Sequence, residues 1–339
     1  MAAIPEKDGR IMRKAKIAGG LLLASALFLT ACGGTTPPLA FNVNWYYNTT
    51  RSKSNVENTR ERLEYAVTFE STPQNGLSLE YTDGKYVTEL KNDTVTTENE
   101  SFSGYVYTTE LNISVRFTLN GESSEVFQDY VKTGVEFRSA YDGLKPVRSW
   151  REVVTHSPTE SYTSLVSSFA TYSFRYEVDY NADLTEAASK YYASLTEEVE
   201  PEERTYDVSG TDTFLDNEQI EFALRGLDMT TIPSFRSINM VTGKVQSLSF
   251  RAAPTETTER VEFEMDGRPV LEEALPAYSL ILSYTGNNSG QPQTLLYAKK
   301  ADDPLANTYR NVLLKMEVPV LQSLGTLVYK LTSASFIAS

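Results

Sequence analysis

Between residues 111 and 119 every second side chain is apolar: Leu111, Ile113, Val115, Phe117 and Leu119 alternate with Asn112, Ser114, Arg116 and Thr118 on one side and Glu110 and Asn120 at the ends. Side chains of an extended strand point to opposite faces in turn, so this spacing gathers the apolar groups on one face only in a β-strand. Asn120-Gly121 follows at once. That pair accepts the left-handed backbone of a two-residue turn whose twist suits its flanking strands, so the chain is expected to return alongside through residues 123–131.

The same pattern recurs along the chain. Leu63, Tyr65, Val67 and Phe69 alternate before Asn75-Gly76, residues 77–81 before Asp83-Gly84, and residues 85–90 beyond it. Residues 135–141 lead to Asp142-Gly143, and Tyr172, Phe174, Tyr176, Val178 and Tyr180 alternate with Ser173, Arg175, Glu177 and Asp179. Further strands are expected at 237–240, 245–250, 261–265, 278–284, 294–300, 312–318 and 326–331. Roughly twelve to fifteen strands are too many for a flat sheet, which must curl, split or close. The fold expected is all-β and mainly antiparallel: a curved sheet of successive hairpins, barrel-like or a sandwich, with one or two short helices.

Two segments depart from alternation. Asp216 can cap a helix while Gln219 reaches back, and Ile220, Ala223, Leu224 and Leu227 repeat at helical spacing. Leu184, Ala187, Ala188, Tyr191 and Leu195 also fit a helix, with a strand through 190–195 as the other reading. The acidic stretch 197–203, interrupted by Pro201, is expected as a solvated loop and leaves open a division into two halves near 197–215.

The chain of 339 residues is 40% hydrophobic, ample for a large core, and its formal charge of -14 argues against nucleic acid, whose phosphates require clustered Lys and Arg. One cysteine permits no intrachain disulfide, and one histidine removes most zinc sites and most histidine-based catalysis.

That cysteine lies in an N-terminal address. Arg10, Arg13, Lys14 and Lys16 precede an apolar run over residues 17–30. At 14 residues the run is short of the ~20 that span a bilayer, and reads as a cleaved signal segment. Leu29-Thr30-Ala31-Cys32 resembles the bacterial lipoprotein lipobox, in which the cysteine becomes the first mature residue. The resemblance implies a diacylglyceryl thioether on Cys32 and several acyl chains, palmitate among them, each buried methylene worth about 0.8 kcal/mol. Residues 1–31 are then the signal peptide, 32–40 a tether, and 41–339 an antiparallel β domain. Met12 offers a second start. Loss of residues 1–31 removes five basic and two acidic residues, so the mature domain is still more acidic and is repelled by an anionic leaflet. Gly33 after the cysteine is not the aspartate that favours inner-membrane retention, so an outer membrane is expected in a diderm host.

The order of elements from Asp216 onward also carries a family resemblance: a helix ending at Leu224-Arg225, hairpins, residues 297–303 before Pro304, and a strand opened by Gly325. It resembles an uncharacterised family of β-rich bacterial envelope proteins. This implies an extracytoplasmic curved sheet and assigns no catalytic residue.

Candidate chemistry is sparse. Asp179, Asn181, Asp183 and Thr185 match the first ligand positions of a calcium loop, but Leu184 stands where that loop needs glycine and Lys190 where it needs glutamate. No metal is therefore expected. His156, with Ser157 beside it and Glu152 and Glu160 nearby, would have to serve any serine hydrolase, but neighbours on a strand face opposite ways, and His156 is expected as an exposed loop residue. Asp302-Asp303 before Pro304 read as turn residues. Trp45-Tyr46-Tyr47, Trp150 and Tyr191-Tyr192 have the flat faces that stack on sugars, though strands use such residues for packing too. No cofactor or catalytic residue is assigned.

The functional expectation is a lipid-anchored extracytoplasmic protein with a non-enzymatic binding or structural role, its partner an envelope protein, lipid or glycan. The other reading is a carboxylate-dependent hydrolase of envelope polymers. Its signature would be two Asp or Glu side chains facing each other across a cleft at ~5 to 9.5 Å, one with a shifted pKa.

Overall fold

A computed structural model describes residues 59–138, 143–195, 200–211, 213–225, 234–239, 244–249, 254–282, 293–299, 309, 311–320 and 323–338. The strands in chain order are β1 (Thr59–Ser71), β2 (Leu77–Thr96), β3 (Ser101–Leu119), β4 (Glu122–Ser123), β5 (Phe127–Phe137), β6 (Pro146–Pro158), β7 (Phe169–Tyr180), β8 (Glu186–Tyr192) and β9 (Glu202–Asp207), of which β6, β8 and β9 were not expected as strands. After α1 (Ile220–Leu224) come β10 (Ser234–Asn239), β11 (Lys244–Ser249), β12 (Thr255–Met265), β13 (Arg268–Leu282), β14 (Gln293–Ala298), β15 (Leu313–Pro319) and β16 (Gly325–Ala338).

All but β10 and β11, which pair with each other, belong to one 14-stranded sheet in the order β12-β13-β14-β15-β16-β1-β2-β3-β5-β6-β7-β8-β9, with β4 paired to β3. Neighbours along this path run antiparallel. One further pairing is parallel, Glu264↔Ser333 and Met265↔Ala334, and it joins β12 to β16. This closes β12–β16 into a five-stranded barrel from which the remaining strands continue as a curved wall. The contact covers only the end of β12, and the far edge of the sheet is β9, with Glu202, Glu203, Arg204 and Thr205 exposed, a charged rim that discourages pairing with other chains.

The hairpin at Asn120-Gly121 forms as expected, both residues left-handed at φ 51° and 90°. Asp83-Gly84 does not turn the chain. It is a bulge inside the 20-residue strand β2, where the register on β3 slips between Thr82 and Lys85. Asp83 has the left-handed backbone at φ 54° that a turn would use, but pairing continues on both sides and the extra residue is absorbed within the strand. The slip moves burial from Leu77, Leu79 and Tyr81 to Tyr86, Thr88 and Leu90, so β2 keeps its apolar side inward on both sides of the bulge, from Leu77 to Leu90. Gly84 lets β1 and β3 close around the bulge: a Cβ there would lie 2.5 Å from the Val67 carbonyl oxygen and 2.9 Å from Ile113 Cδ1. Gly84→Ala is expected to cost about 1–3 kcal/mol, read as a lower urea midpoint, and an unchanged midpoint would show that the strands can part.

Two further expectations are corrected. Residues 186–192 are strand β8, not helix: Ala187 and Ser189 are buried while Glu186, Ala188 and Lys190 are exposed. Here the free edge of β7 decides between the two readings, because tertiary pairing outweighs helical propensity. The acidic stretch ends in strand too, since Glu202 and Glu203 open β9.

The helix at Asp216 forms with its capping box intact. The Asp216 side chain accepts the Glu218 N–H at 2.7 Å, Gln219 Oε1 accepts the Asp216 N–H, and a 3-10 turn at Asn217–Gln219 runs into α1. On the inner face of the sheet, Phe222 is 1% exposed and meets the rings of Tyr105, Tyr107 and Phe137 at 5.9, 5.8 and 5.4 Å.

Candidate functional site

The segment 216–225 is short and mostly buried, yet four of its ten side chains are ionisable. A buried charge is tolerated only where other groups compensate it, so the sheet must supply partners. It does so from both of its ends. Asp216 Oδ2 accepts hydrogen bonds from Ser149 Oγ and the Tyr180 hydroxyl, each at 2.6 Å. Glu218 Oε1 accepts from Arg151 at 3.1 Å and from the Tyr176 hydroxyl at 2.5 Å. Arg225 donates to both carboxylate oxygens of Glu61, at 2.5 and 3.0 Å, with the two side chains only 3% and 7% exposed. From the barrel, Tyr297 donates to the Glu221 carbonyl at 3.1 Å, and Asn311 Nδ2 donates to the Arg225 carbonyl at 2.9 Å. The wall is therefore tied to this segment by side chains of β1, β6 and β7, and the barrel by Tyr297 of β14.

Glu221 is the exception. Its Oε2 accepts from Tyr86 at 2.8 Å and from Tyr107 at 3.4 Å, but Oε1 is buried with no hydrogen-bond partner among the described residues. Burial pushes its pKa up to about 7, against the pull of the two tyrosine hydroxyls, while the Glu218 charge adds to the rise and Arg151 opposes it. Asp216 rises to about 6, again through burial first and the Glu218 charge second. Beside Glu221 a cavity of about 20 Å³ opens among Glu218, Arg151, Tyr86, Thr109 and Thr133. That volume holds a water-sized occupant.

The residues singled out in the sequence are not drawn together here. Cys32, Trp45-Tyr46-Tyr47 and Asp302-Asp303 lie outside the described residues. His156 is not an exposed loop residue but part of β6, 8% exposed. Its Nδ1 is 2.7 Å from Asp129 Oδ1, its backbone N–H donates to Asp129 Oδ2 at 3.0 Å, and its ring stacks on Phe127 at 4.2 Å. Burial raises the pKa of Asp129, with the contacts to His156 pulling the other way. Ser157, the next residue along the same paired strand, faces the opposite side, so no nucleophile–base pair forms between them. Glu152 is engaged by the Tyr130 hydroxyl at 2.8 Å, and Glu160 is exposed.

At the calcium-like positions, Asn181 Oδ1 accepts the N–H groups of Thr185 and Glu186, closing a local turn with Leu184 at φ 54°. Among the described residues no group of three or more His, Cys, Asp or Glu side chains could hold a metal ion. Trp150, 39% exposed, lies over Gly134 on the neighbouring strand, where a Cβ would come within 2.4 Å of its Nε1. Tyr191 stacks on Phe174 at 5.7 Å, and Tyr192 lies under the Arg175 guanidinium at 4.2 Å. These aromatic residues all pack on groups of their own sheet.

The sequence reading missed Glu61, Arg151, Glu218, Glu221 and Arg225. A local signal existed for one pair only: Glu218 and Glu221 are three apart, which places them on the same side of a helical turn. Glu61 and Arg225 are 164 residues apart, and no pattern along the chain announces their meeting.

No protein-family model matches the sequence, and no curated protein matches it. Among solved structures, a β-barrel-like protein of a domain of unknown function, DUF1849, from Brucella abortus is similar. The sequence identity is 11%, the match covers 84% of this chain and 100% of that chain, and the TM-score is 0.48.

Proposed function

We propose that this chain is an extracytoplasmic protein anchored by lipid on Cys32, with a non-enzymatic binding or structural role in a bacterial cell envelope. The observation that carries the non-enzymatic part is the use to which the buried charges are put. Asp216, Glu218 and Arg225 are each engaged in tying the 216–225 segment to the wall. Charged groups held in this way brace a scaffold. Phe222 and its aromatic neighbours fill the space inside the wall that a lipid carrier would keep empty and apolar, which favours a protein or glycan partner over a carried lipid. The anchor rests on the basic residues, the 14-residue apolar run and the Leu29-Thr30-Ala31-Cys32 motif.

One observation favours the hydrolase reading. Glu218 and Glu221 line the same cavity, and Glu221 has the raised pKa of a general acid. The cavity admits a water but not a sugar ring, which weighs against it.

Cys32→Ala tests the anchor. The wild-type protein is expected in the membrane fraction, with the mass of a lipidated Cys32 terminus. The variant is expected in the soluble fraction, and unchanged membrane retention would refute the anchor. Recovery of a discrete envelope protein or glycan on the wild-type chain would support the binding role. Turnover of envelope polymer that is lost in Glu221→Gln would replace it with the hydrolase.

A further inference from the structure

We propose that the segment 216–225 is a pH-sensitive clamp, which closes against the wall in its protonated form and opens more often as its buried carboxylates ionise. The inference stands on charge, solvation and attachment, and is independent of how the protein is anchored.

Charge comes first. Where the segment meets the wall, the buried charged side chains are Glu61 from β1, Arg151 from β6, and Asp216, Glu218, Glu221 and Arg225 from the segment itself. Arg225 is bound by Glu61 and Arg151 by Glu218. Four carboxylates thus meet two guanidinium groups. Asp216 and Glu221 are the two with no cationic hydrogen-bond partner among the described residues: Ser149 and Tyr180 donate to one, Tyr86 and Tyr107 to the other. The other titratable groups facing them are the hydroxyls of Tyr65, Tyr176 and Tyr329, and burial holds all six of these hydroxyl-bearing tyrosines, Tyr86, Tyr107 and Tyr180 included, in the neutral form. Hydroxyl donors soften a buried negative charge but do not cancel it.

The second ground is solvation. Glu221 is 8% exposed, and its Oε1 has no hydrogen-bond partner. The cavity beside it, about 20 Å³, has room for one water, and Leu111 and Val131 form part of its lining. The Arg151 guanidinium on the same lining is already bound to Glu218. An ionised Glu221 in the closed clamp is therefore short of both counter-ion and water, and regains hydration when the segment parts from the wall.

Attachment is the third ground. Among the described residues the backbone of 216–225 makes no backbone hydrogen bond to a strand of the 14-stranded sheet, and what holds it there is side chains. It can therefore leave without breaking the strand ladder. Parting bares the rings of Tyr105, Tyr107 and Phe137 that Phe222 covers.

The sign follows from linkage. In the closed clamp Glu221 holds its proton to about pH 7 and Asp216 to about 6, burial being the first cause in each. In the open clamp they titrate as exposed carboxylates, near ~4.3 and ~3.9. Between these values the closed form carries protons that the open form has lost, so closure weakens as pH rises. From pH 5.5 to pH 8 the opening constant should grow about thirtyfold through Glu221 and about fourfold through Asp216, roughly a hundredfold together.

The test is native-state hydrogen exchange of the purified protein in increasing urea at pH 5.5 and pH 8, with rates corrected for intrinsic exchange at each pH. The amides of residues 222–225 are expected to exchange through an opening that depends little on urea and lies below the protection of β3. Its equilibrium constant should be about a hundredfold larger at pH 8. In Glu221→Gln that ratio should shrink to about fourfold, and an unchanged ratio would overturn the proposal. Should the variant fail to fold, the wild type decides alone. Amides of 222–225 that share the protection and urea dependence of β3 at both pH values would overturn the clamp, because the segment would then leave the wall only with the whole molecule. A urea-insensitive opening of equal size at both pH values would overturn it as well.

Discussion

Replacing Glu61 with alanine is expected to lower stability by about 3–5 kcal/mol, because it leaves the Arg225 guanidinium buried without the carboxylate that binds both of its terminal nitrogens. The expected result is a lower urea midpoint. Weaker hydrogen-exchange protection should also appear around α1, since Arg225 terminates that helix and its carbonyl accepts from Asn311. The double variant Glu61→Leu, Arg225→Met separates two meanings of this loss. Apolar residues of similar volume should recover most of it, because the cost of a broken buried pair lies mainly in the orphaned charge. A double variant as unstable as Glu61→Ala alone would show instead that the paired hydrogen bonds contribute a large net stabilisation.

Glu221→Gln is expected to act in the opposite direction, and only above mid-acidic pH. In the unfolded chain a glutamate releases its proton near pH ~4.3, whereas Glu221 in the folded protein holds it to about pH 7. Between those values the folded state carries a proton that the unfolded state has lost, so stability falls as pH rises. The contribution is intact below the unfolded pKa and gone above pH 7. The lost share is about 3–4 kcal/mol. Glutamine carries no charge and its carbonyl oxygen can still accept from Tyr86. Glu221→Gln should therefore exceed the wild type by about 3–4 kcal/mol at pH 8 and match it only near or below pH ~4. Asp216, raised to about 6, adds a slope of the same sign at lower pH that both proteins share. A constant difference between the two across this range would mean that Glu221 does not titrate within it.

What the sequence revealed follows the range of the forces involved. Strand identity is local: alternation at 111–119 and 172–180 and the Asn120-Gly121 turn each rest on a few consecutive residues, and all three appear where expected. Asp83-Gly84 shows the limit of such reasoning. A left-handed Asp followed by Gly serves a bulge as well as a turn, and the partner strands on both sides decide which one forms. Residues 186–192 show the same limit for helix against strand. The candidate site lies further out of reach. Its groups come from β1, β2, β3, β5, β6 and the helical segment, and buried carboxylates carry the same letters as solvated ones. His156 belongs with them, because Asp129, 27 residues earlier, is what gives it a place in the interior.

The parallel contact between β12 and β16 has a bearing on how the molecule comes to be folded at all. β16 is shared by β15, β1 and β12, and Thr332 bonds the Glu64 carbonyl across 268 residues of chain. The first strand thus waits for the last, and the barrel cannot shut until nearly the whole polypeptide is present. Long-range closure of this kind makes for slow maturation. The final hairpin, β15 with β16, is therefore the latch of the barrel, and it is thrown last.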